Sequence, residues 1–563
     1  MGVGQVMVNA INGEAAMSHG YLLGLDGGSS ATKAVIFDTQ GRVVGVARES
    51  SSLEHPRAHW VERDMDAAWR SAAKAIRGAL AEAGLNGADI LAVGVTAHGD
   101  GLYPVDRHGE PLGRAMTSLD SRAAGIVERW CREGVREQAL ERIGQVPFAF
   151  SPVALLAWLQ QCQPERFAAL GHVLTCKDWL RFKLTGDIAT DFTEASTGYT
   201  DVNTQRYSRE GLAMLGIEAA FAALPDVRMP DEIAGHVSEA AARQTGLMAG
   251  TPVATGLHDV TASAVGLGNI ESDTLTIAAG TFSINEVFSD VPRPDPRWAT
   301  RNGLRPGQWL NMAVSPASSS NLEWFHRQWG RPGDGGTGAF LADMETALDE
   351  AFAGPSRLVY HPFLYGSPYE EPASAGLFGL QGWHERGHVL RAILEGVVFN
   401  HRVHIDALAS AFAIERVRIT GGGSHSPRLA QLFADSLGRP LETSKIQEAA
   451  AWGTAICAGV AAGVFPSIET ATTLCEVAHR YLPDVRSEAE CQRRFERYQR
   501  LVECLRPLWT ELDASEPLPG EPLPDEPMLD EPLPDEPLPD EPRSTPDATT
   551  PTASSASTAG VPR

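Results

Sequence analysis

Two glycine-rich turns, one in each half of the chain, are the feature that most constrains its fold. The first, residues 23–33 (LGLDGGSSATK), follows an apolar run and carries Asp26; the second, residues 279–283 (AGTFS), follows another apolar run. Small residues in such turns let backbone amides approach a phosphate closely. Asp259 follows the apolar residues 252–254, about twenty residues before the second turn. The pattern predicts a phosphate cradle with a carboxylate base beside it.

Each of these motifs also has a structural interpretation. An aspartate at a strand end is often a helix cap or a turn residue, and residues 26–30 could form an ordinary hairpin turn. The first turn lacks the GxxxxGK[ST] spacing of a Walker A loop and the GxGxxG spacing of a dinucleotide site. Glycines 421–423 precede a predicted helix and could pack against an adenosine, but such turns also have many structural uses.

Length and composition indicate a chain with two large domains. With 563 residues it is too long for a single core. No apolar run approaches the roughly 20 residues that span a bilayer, so we expect no membrane segment. Residues 1–20 lack the pattern of an export signal; we interpret them as a flexible arm, unless Met17 is the true start. The seven cysteines lie at wide spacings without a CxxC pair, which favours buried thiols in the reducing cytoplasm over zinc or disulfides.

The acidic charge is concentrated in a repetitive C-terminal tail. The net charge is −24, and the tail, which we place at residues 513–563, repeats Glu-Pro-Leu-Pro-Asp with a five-residue period. Frequent proline and like charges favour an extended, disordered segment, although a docking or solubilising role stays open. An acidic surface repels phosphodiester backbones, so nucleic-acid binding is not expected.

The body of the chain alternates predicted strands and helices. Strands are expected at 21–25, 34–37, 42–45, 90–95 and 417–420, and helices at 65–83, 123–141 and 428–437. An opening β-meander followed by alternating elements recurs in the second half. This predicts two related α/β domains, at 21–265 and 266–512, with a cleft between them.

The combination of motifs resembles the FGGY carbohydrate kinases, members of the actin-like ATPase superfamily. The most diagnostic stretch is 375–380 (AGLFGL), followed after seven residues by 388–395 (HVLRAILE). Residues 24–30, 60–64, 177–186 and 421–424 support the resemblance. It implies an α/β fold of two actin-like, ribonuclease H-like ATPase domains with an interdomain catalytic cleft. It also implies ATP-dependent sugar phosphorylation with Mg²⁺.

The resemblance assigns roles to individual residues. Asp259 would be the catalytic base and would also lie at the metal, and Asp26 would hold Mg²⁺. The residues that would line the phosphates or the adenosine are Gly28, Ser29, Ser30, Lys33, Gly280, Thr281, Gly422, Gly423 and Ser426. The sugar would contact Ala97, His98 and Ser118 as well as Asp259.

Departures from the family pattern narrow the range of expected acceptor sugars. Ser118 replaces the tryptophan that forms an apolar wall of the sugar pocket in glycerol kinases and many xylulokinases, and Val260 stands where a polar residue is common. Both departures argue against glycerol and D-xylulose as the substrate. Residues 315–325 and 362–367, together with the core around Asp259, resemble the L-xylulose/3-keto-L-gulonate kinase subgroup. We therefore expect a pentulose or ketohexonate acceptor, with a polyol such as erythritol or a pentitol as the alternative. A sugar-sensing module without catalysis and a homodimer also stay open.

Overall fold

The computed structural model describes residues 20–330, 339–340, 342, 344–354, 356–369 and 373–513. The expected arm up to residue 19 and the tail from residue 514 lie outside the described residues. All described residues belong to one compact unit. Within them, no helix combines the length and the apolar character needed to cross a membrane.

A seven-stranded sheet forms the core of the first half. The meander β1–β2–β3 is antiparallel, and β1 pairs on its other side with β5 in parallel; β12 and β13 both pair with β5 in parallel, and β11 closes the edge. The strands of this half are β1 Tyr21–Gly27, β2 Ala31–Asp38, β3 Val43–Ser50, β4 Glu62–Arg63, β5 Ile90–Ala97, β6 Tyr103–Val105, β7 Ala115–Met116, β8 His172–Leu174, β9 Thr190–Asp191, β10 Val227–Arg228, β11 Ile233–His236, β12 Pro252–Ala254 and β13 Leu257–His258.

The second half repeats this pattern in a sheet of seven strands. Its strands are β14 Thr274–Ala279, β15 Ser283–Ser289, β16 Ala299–Asn302, β17 Trp309–Ser315, β18 Val359–His361, β19 Gly376–Phe378, β20 Arg416–Thr420, β21 Leu441–Ser444 and β22 Val477–Tyr481. The order is β16-β17-β15-β14-β20-β21-β22, with β14, β15 and β17 antiparallel and β14, β20 and β21 parallel. The predicted recurrence of a meander followed by parallel strands is confirmed, because both sheets place the first meander strand beside a parallel strand.

Helices cover the sheets, and those within residues 124–168 and 209–223 pack around a separate hydrophobic core. They span Met65–Ala83, Ala124–Arg132, Val135–Ile143, Pro152–Cys162, Pro164–Ala168, Cys176–Thr185, Arg209–Met214, Glu239–Thr245, Asp259–Gly266, Ser320–Trp329, Glu345–Ala353, Arg386–Ala409, Pro427–Leu437, Ala449–Ala461, Ile468–Thr472 and Val485–Asp513. Short 3-10 turns lie at Glu194–Ser196, Glu218–Ala223 and Gly422–His425.

The helix expected at 65–83 is confirmed, whereas the one expected at 123–141 is wrong as a single helix. Asp64 caps the first helix through its side chain, and Gly84 ends it in the left-handed conformation. The second stretch forms two helices, Ala124–Arg132 and Val135–Ile143, because Gly134 adopts a φ of 70° between them. Apolar spacing alone could not place that break.

Two helices rich in small residues cross beneath the first sheet. Helix Ala449–Ala461 packs against helix Asp259–Gly266 and against β1 and β5. A Cβ atom on Gly453 would lie 1.9 Å from the carbonyl oxygen of Ala262, and one on Gly266 would lie 1.8 Å from that of Ala449. Glycine therefore permits direct backbone contact, which holds the helix that begins at Asp259.

Candidate functional site

Three parallel strands bring the predicted acidic and substrate-binding residues to one edge of the first sheet. Asp26 lies near the end of β1 and is the register partner of Thr96 in β5. On the other side of β5, His258 at the end of β13 is the partner of Ala97. His98 and Asp259 follow directly after these strands. The carboxyl ends of β1, β5 and β13 thus bring Asp26, His98 and Asp259 together.

The side chain of Asp259 is partly buried and partly exposed to solvent. Asp259 is the first residue of its helix, its side chain is 32% exposed, and its Oδ1 accepts a hydrogen bond of 2.8 Å from the Val260 amide. Burial and, next in size, the negative charge of Asp26 together raise its pKa to about 7, against the smaller lowering by the Val260 amide. A carboxylate with a pKa near neutrality is suited to accept a proton.

The pKa of Asp26 is raised as well. Burial raises its pKa to about 6; the Lys33 ammonium opposes this rise, and the Glu448 carboxylate adds to it. Two neighbouring buried carboxyl groups with raised pKa values form a site that favours a bound cation or proton.

Hydrogen bonds from neighbouring segments hold the carbonyl groups of the first glycine turn. The buried guanidinium of Arg63, on β4, donates from Nη2 to the carbonyl oxygens of Gly28 and Ser29 at 3.1 and 2.6 Å. The Ser30 carbonyl accepts from the Ser51 amide at 2.9 Å. The structure therefore ties down the carbonyl side of the predicted phosphate turn through residues that the motif itself did not reveal.

Lys33 is the register partner of Asp26 on β2. Its Nζ lies 2.7 Å from Oε2 of Glu448, at the start of helix Ala449–Ala461. Both side chains are partly exposed. The positive charge that was expected beside the phosphates is present near Asp26, and it is partnered by a carboxylate from the second half.

Two of the residues expected to contact the sugar, His98 and Ala97, are buried. His98 is buried, with Nε2 3.1 Å from the Tyr103 hydroxyl and Nδ1 3.4 Å from the Ser118 hydroxyl. Burial and the charge of Arg63 lower its pKa to about 3, so its ring is neutral. Ala97 is fully buried in the core beneath the sheet. Its methyl group packs inside the protein, so Ala97 shapes the site through its backbone only.

A buried polar network next to Asp259 escaped sequence reasoning. Nε2 of His258 lies 3.1 Å from Nη1 of Arg301, and Nδ1 of His258 lies 3.3 Å from Oδ1 of Asp259. Nη2 of Arg301 donates to both carboxylate oxygens of Asp100 at 3.1 and 3.2 Å. Burial and the Arg301 charge hold the pKa of His258 well below its usual value. Arg301 lies on β16, so it links the second sheet to His258 and, through it, to Asp259.

The remaining predicted residues gather at the carboxyl ends of β14 and β20. A Cβ atom on Gly421 would lie 2.8 Å from the Ala279 carbonyl oxygen, so the turn at 421–423 packs against the turn at 279–281. The Gly280 carbonyl accepts from the Ser319 amide at 2.9 Å, and the Ser320 hydroxyl donates to the Thr281 carbonyl at 3.4 Å.

Within that second cluster, Gly422 and Ser426 have different surroundings. A Cβ atom on Gly422 would meet no atom within 4 Å, whereas one on Gly423 would lie 2.9 Å from the Ala279 side chain. The Ser426 hydroxyl accepts from the Leu429 amide at 3.3 Å as the cap of helix Pro427–Leu437. The hydroxyl of Ser426 therefore caps a helix, whereas Gly422 lies on the open side of the turn.

An electrostatic interaction links the two clusters. Glu286 on β15 is buried and has no hydrogen-bond partner among the described residues, and burial together with the charge of Asp259 raises its pKa well above the usual value. The middle of the second sheet therefore lies close enough to Asp259 for the two carboxyl groups to interact.

Comparison with known proteins identifies the family. The model of the FGGY family of carbohydrate kinases, N-terminal domain, matches residues 21–266, and that of the C-terminal domain matches residues 275–462. An L-xylulose/3-keto-L-gulonate kinase of Escherichia coli (strain K12) is 34% identical over 490 residues, which cover 86% of this chain and 97% of the relative. A probable L-xylulose kinase of Pasteurella multocida (strain Pm70) is 32% identical over 87% of this chain and 99% of the relative. An erythritol kinase of Brucella abortus (strain 2308) is 27% identical over 88% of this chain and 98% of the relative.

Solved structures agree with this assignment. A xylulose kinase from Rhodospirillum rubrum superposes with a TM-score of 0.75 at 26% identity, covering 87% of this chain and 99% of that one. A ligand-bound xylulose kinase from Lactobacillus acidophilus, 22% identical, has a TM-score of 0.79 with coverages of 87% and 99% and shows the shared fold. The expected α/β fold of two actin-like ATPase domains is confirmed. The chain belongs to the FGGY family of carbohydrate kinases.

Proposed function

We propose that this protein transfers the γ-phosphoryl group of ATP to a terminal hydroxyl of a small ketose, with Asp259 as the general base. FGGY kinases use ATP as the phosphate donor. The observation that carries the proposal is the position of Asp259 at the shared end of three parallel strands, beside Asp26, with a pKa raised to about 7.

The geometry supports separate roles for the residues that accept the proton and those that contact the phosphates. The sugar hydroxyl would attack the γ-phosphorus while Asp259 accepts its proton, and the hydroxyls of Ser29 and Ser30 would donate to phosphate oxygens. Phosphoryl transfer depends mainly on positioning and charge neutralisation, so the brace from Arg63 on the first turn matters as much as the base.

Asp26 and Asp259 fit a Mg²⁺ ion. Mg²⁺ prefers oxygen ligands and usually takes one or two carboxylates together with water and substrate phosphates. Two buried carboxyl groups, of which Asp26 raises the pKa of Asp259, supply such a donor set. Within the described ranges no group of three or more His, Cys, Asp or Glu side chains could hold a metal, which agrees with a site completed by the nucleotide. The bound ion would neutralise phosphate charge.

The domain roles follow from the two clusters. We assign residues 21–265 to sugar and phosphate binding and residues 266–512 to adenosine binding. The turns at 280–281 and 421–423 lie against each other at the end of the second sheet. Gly422 would face the nucleotide, since among the described residues no atom lies within 4 Å of a Cβ atom placed there.

For the acceptor we propose a pentulose or ketohexonate, such as L-xylulose or 3-keto-L-gulonate. Two relatives above 30% identity carry these names, and the erythritol kinase relative supports a polyol as the second candidate. Lys33 and Arg301 are each paired with a carboxylate, Glu448 and Asp100. Because the Arg301 guanidinium is buried and bonded to Asp100, and Lys33 is assigned to the nucleotide, we expect the neutral ketose to react with a higher kcat/KM than the sugar acid.

The assignment is tested with Asp259→Asn in the full chain. ADP release is measured with ATP and Mg²⁺ across L-xylulose, 3-keto-L-gulonate, erythritol and pentitols, and nucleotide binding is measured by calorimetry. We expect the variant to lose at least about a thousandfold in kcat, within the range of a base that also positions its substrate, while the Kd for ATP changes little.

Two outcomes would contradict the proposal. If Asp259→Asn turns over at the wild-type rate, Asp259 is not the base. If no sugar or polyol stimulates ADP release by the wild-type protein, a non-catalytic sugar-binding module becomes the better interpretation. Asp273→Asn, at a surface carboxylate paired with Arg416, is the matched control and should retain full activity.

A further inference from the structure

Asp259 is the last member of a line of four side chains. Asp100 bonds to Arg301, Arg301 bonds to His258, and His258 lies against Asp259, with successive separations of 3.1, 3.1 and 3.3 Å. The side chains of Asp100, His258 and Arg301 are all about nine-tenths buried or more. Arg301 is also fixed from the side, because its Nε donates to Oε1 of Gln145 at 3.0 Å.

The chemistry of Arg301 sets the tautomer of His258. A guanidinium has only donors, so Nε2 of His258 must present its lone pair to Nη1 of Arg301. The ring proton then resides on Nδ1, the nitrogen that faces Oδ1 of Asp259. The partner of one ring nitrogen thus determines what the other offers.

The ring of His258 has little freedom to turn. A Cβ atom on Gly99 would lie 1.9 Å from Nε2 of His258, so the glycine backbone packs directly against the imidazole. The His258 amide donates to the Thr193 hydroxyl at 3.0 Å. Asp100, which follows Gly99, adopts a φ of 58°, and this backbone turn lets one short segment contact both Arg301 and the ring.

We propose that His258 is a positioning residue that holds Asp259 for proton transfer, and that Arg301 and Asp100 orient it. The proposal rests on the role assigned to Asp259 above. The Val260 amide and Nδ1 of His258 both face Oδ1, so Oδ2 is the oxygen left for the substrate. As the sugar oxygen bonds to the γ-phosphorus and the bond from that phosphorus to ADP breaks, the hydroxyl proton passes to Oδ2.

The test uses two amide substitutions that each replace one ring nitrogen. Asparagine places its NH₂ group near the position of Nδ1, whereas glutamine reaches the position of Nε2. We expect His258→Gln to lower kcat by roughly ten- to a hundredfold, the usual range for a residue that orients another functional group, with KM for sugar and ATP within about threefold. His258→Asn should keep kcat within about fivefold of wild type. Both are measured in the full chain with the acceptor that gives the fastest ADP release in the panel above.

A second variant displaces the ring without altering a polar atom. Gly99→Ala pushes a methyl group into Nε2 of His258 and should lower kcat as His258→Gln does. In the double variant Gly99→Ala with His258→Asn the shorter side chain leaves room for the methyl group, so most of the loss should be restored. Because relief of the clash alone would restore folding, the rescue supports the positioning role only if Gly99→Ala lowers kcat while keeping the wild-type thermal midpoint.

The outcomes separate this proposal from the one on which it rests. If Asp259→Asn is inactive while both His258 variants keep wild-type kcat, the positioning role is wrong and the base assignment stands. The role is also wrong if the Asn and Gln variants lose kcat equally, or if their losses follow a fall in thermal midpoint. Wild-type activity of Asp259→Asn would overturn both proposals.

Discussion

Replacing Gly453 with alanine is expected to destabilise the protein, although alanine is the better helix former. Gly453 lies within helix Ala449–Ala461, where Gly→Ala should add about 1 kcal/mol through helix propensity. The new methyl group, however, would lie 1.9 Å from the Ala262 carbonyl oxygen. Because that atom belongs to the backbone of a packed helix, no side-chain rotation relieves the clash, and overpacking costs about 3 kcal/mol at the upper end of its usual range. The net effect is a loss of about 2 kcal/mol.

Differential scanning fluorimetry measures this balance, with Gly125→Ala as the matched control. Gly125 also lies in a helix, and a Cβ atom there would meet nothing within 4 Å, so only the propensity gain applies. For a unit of several hundred residues 1 kcal/mol corresponds to about 2 °C. We therefore expect a fall of about 4 °C for Gly453→Ala and a rise of about 2 °C for Gly125→Ala. A Gly453→Ala protein at least as stable as wild type would refute the inference that the crossing helices touch backbone to backbone.

Two further predictions concern the charges at the site. Burial, together with the charge of Asp26, raises the pKa of Asp259 to about 7, and burial raises that of Asp26 to about 6. The proposed base must be ionised, so kcat/KM should fall as the pH decreases through 7; a profile that is flat from pH 5.5 to 8 would contradict this. Lys33→Met should raise the KM for ATP by about tenfold, as expected for one lost charge-assisted contact, whereas Glu448→Gln should change it by less than about threefold. Equal effects of these two substitutions would show that Lys33 serves the ion pair with Glu448 and not the nucleotide.

The elements that could be predicted from sequence are those whose signals are local. Helix Met65–Ala83 carries a capping aspartate, an apolar stripe and a terminal glycine within one segment. The end of β1 was recognisable because Asp26 follows an apolar run. Asp259, by contrast, follows the two-residue strand β13, and the apolar run at 252–254 forms β12. The glycine turns and the family resemblance placed Asp26 and Asp259 at one site, whereas the parallel pairing of β1, β5 and β13 was not predicted.

The residues that sequence reasoning missed depend on contacts between distant segments. Arg63 lies on a two-residue strand, and its contact with the first turn has no local pattern. Arg301 lies on β16, and nothing in its neighbourhood marks it as different from a surface arginine. His258 was visible next to Asp259, but its tautomer depends on Arg301, 43 residues away. Only the packing of the second sheet onto the first half determines that partner.

The docking of β16 connects the proposed base, Asp259, to residues far from it in the sequence. The Thr300 amide donates to the Gly144 carbonyl at 2.8 Å, and the Asn302 side chain donates to the Phe192 carbonyl at 2.9 Å. These bonds flank Arg301 on both sides and fix the strand against the helical layer of the first half. A guanidinium in a rigid strand can hold an imidazole more accurately than one in a loop, because the surrounding backbone cannot shift independently. The orientation of Asp259 is therefore set by the contact between the two sheets as well as by its own helix.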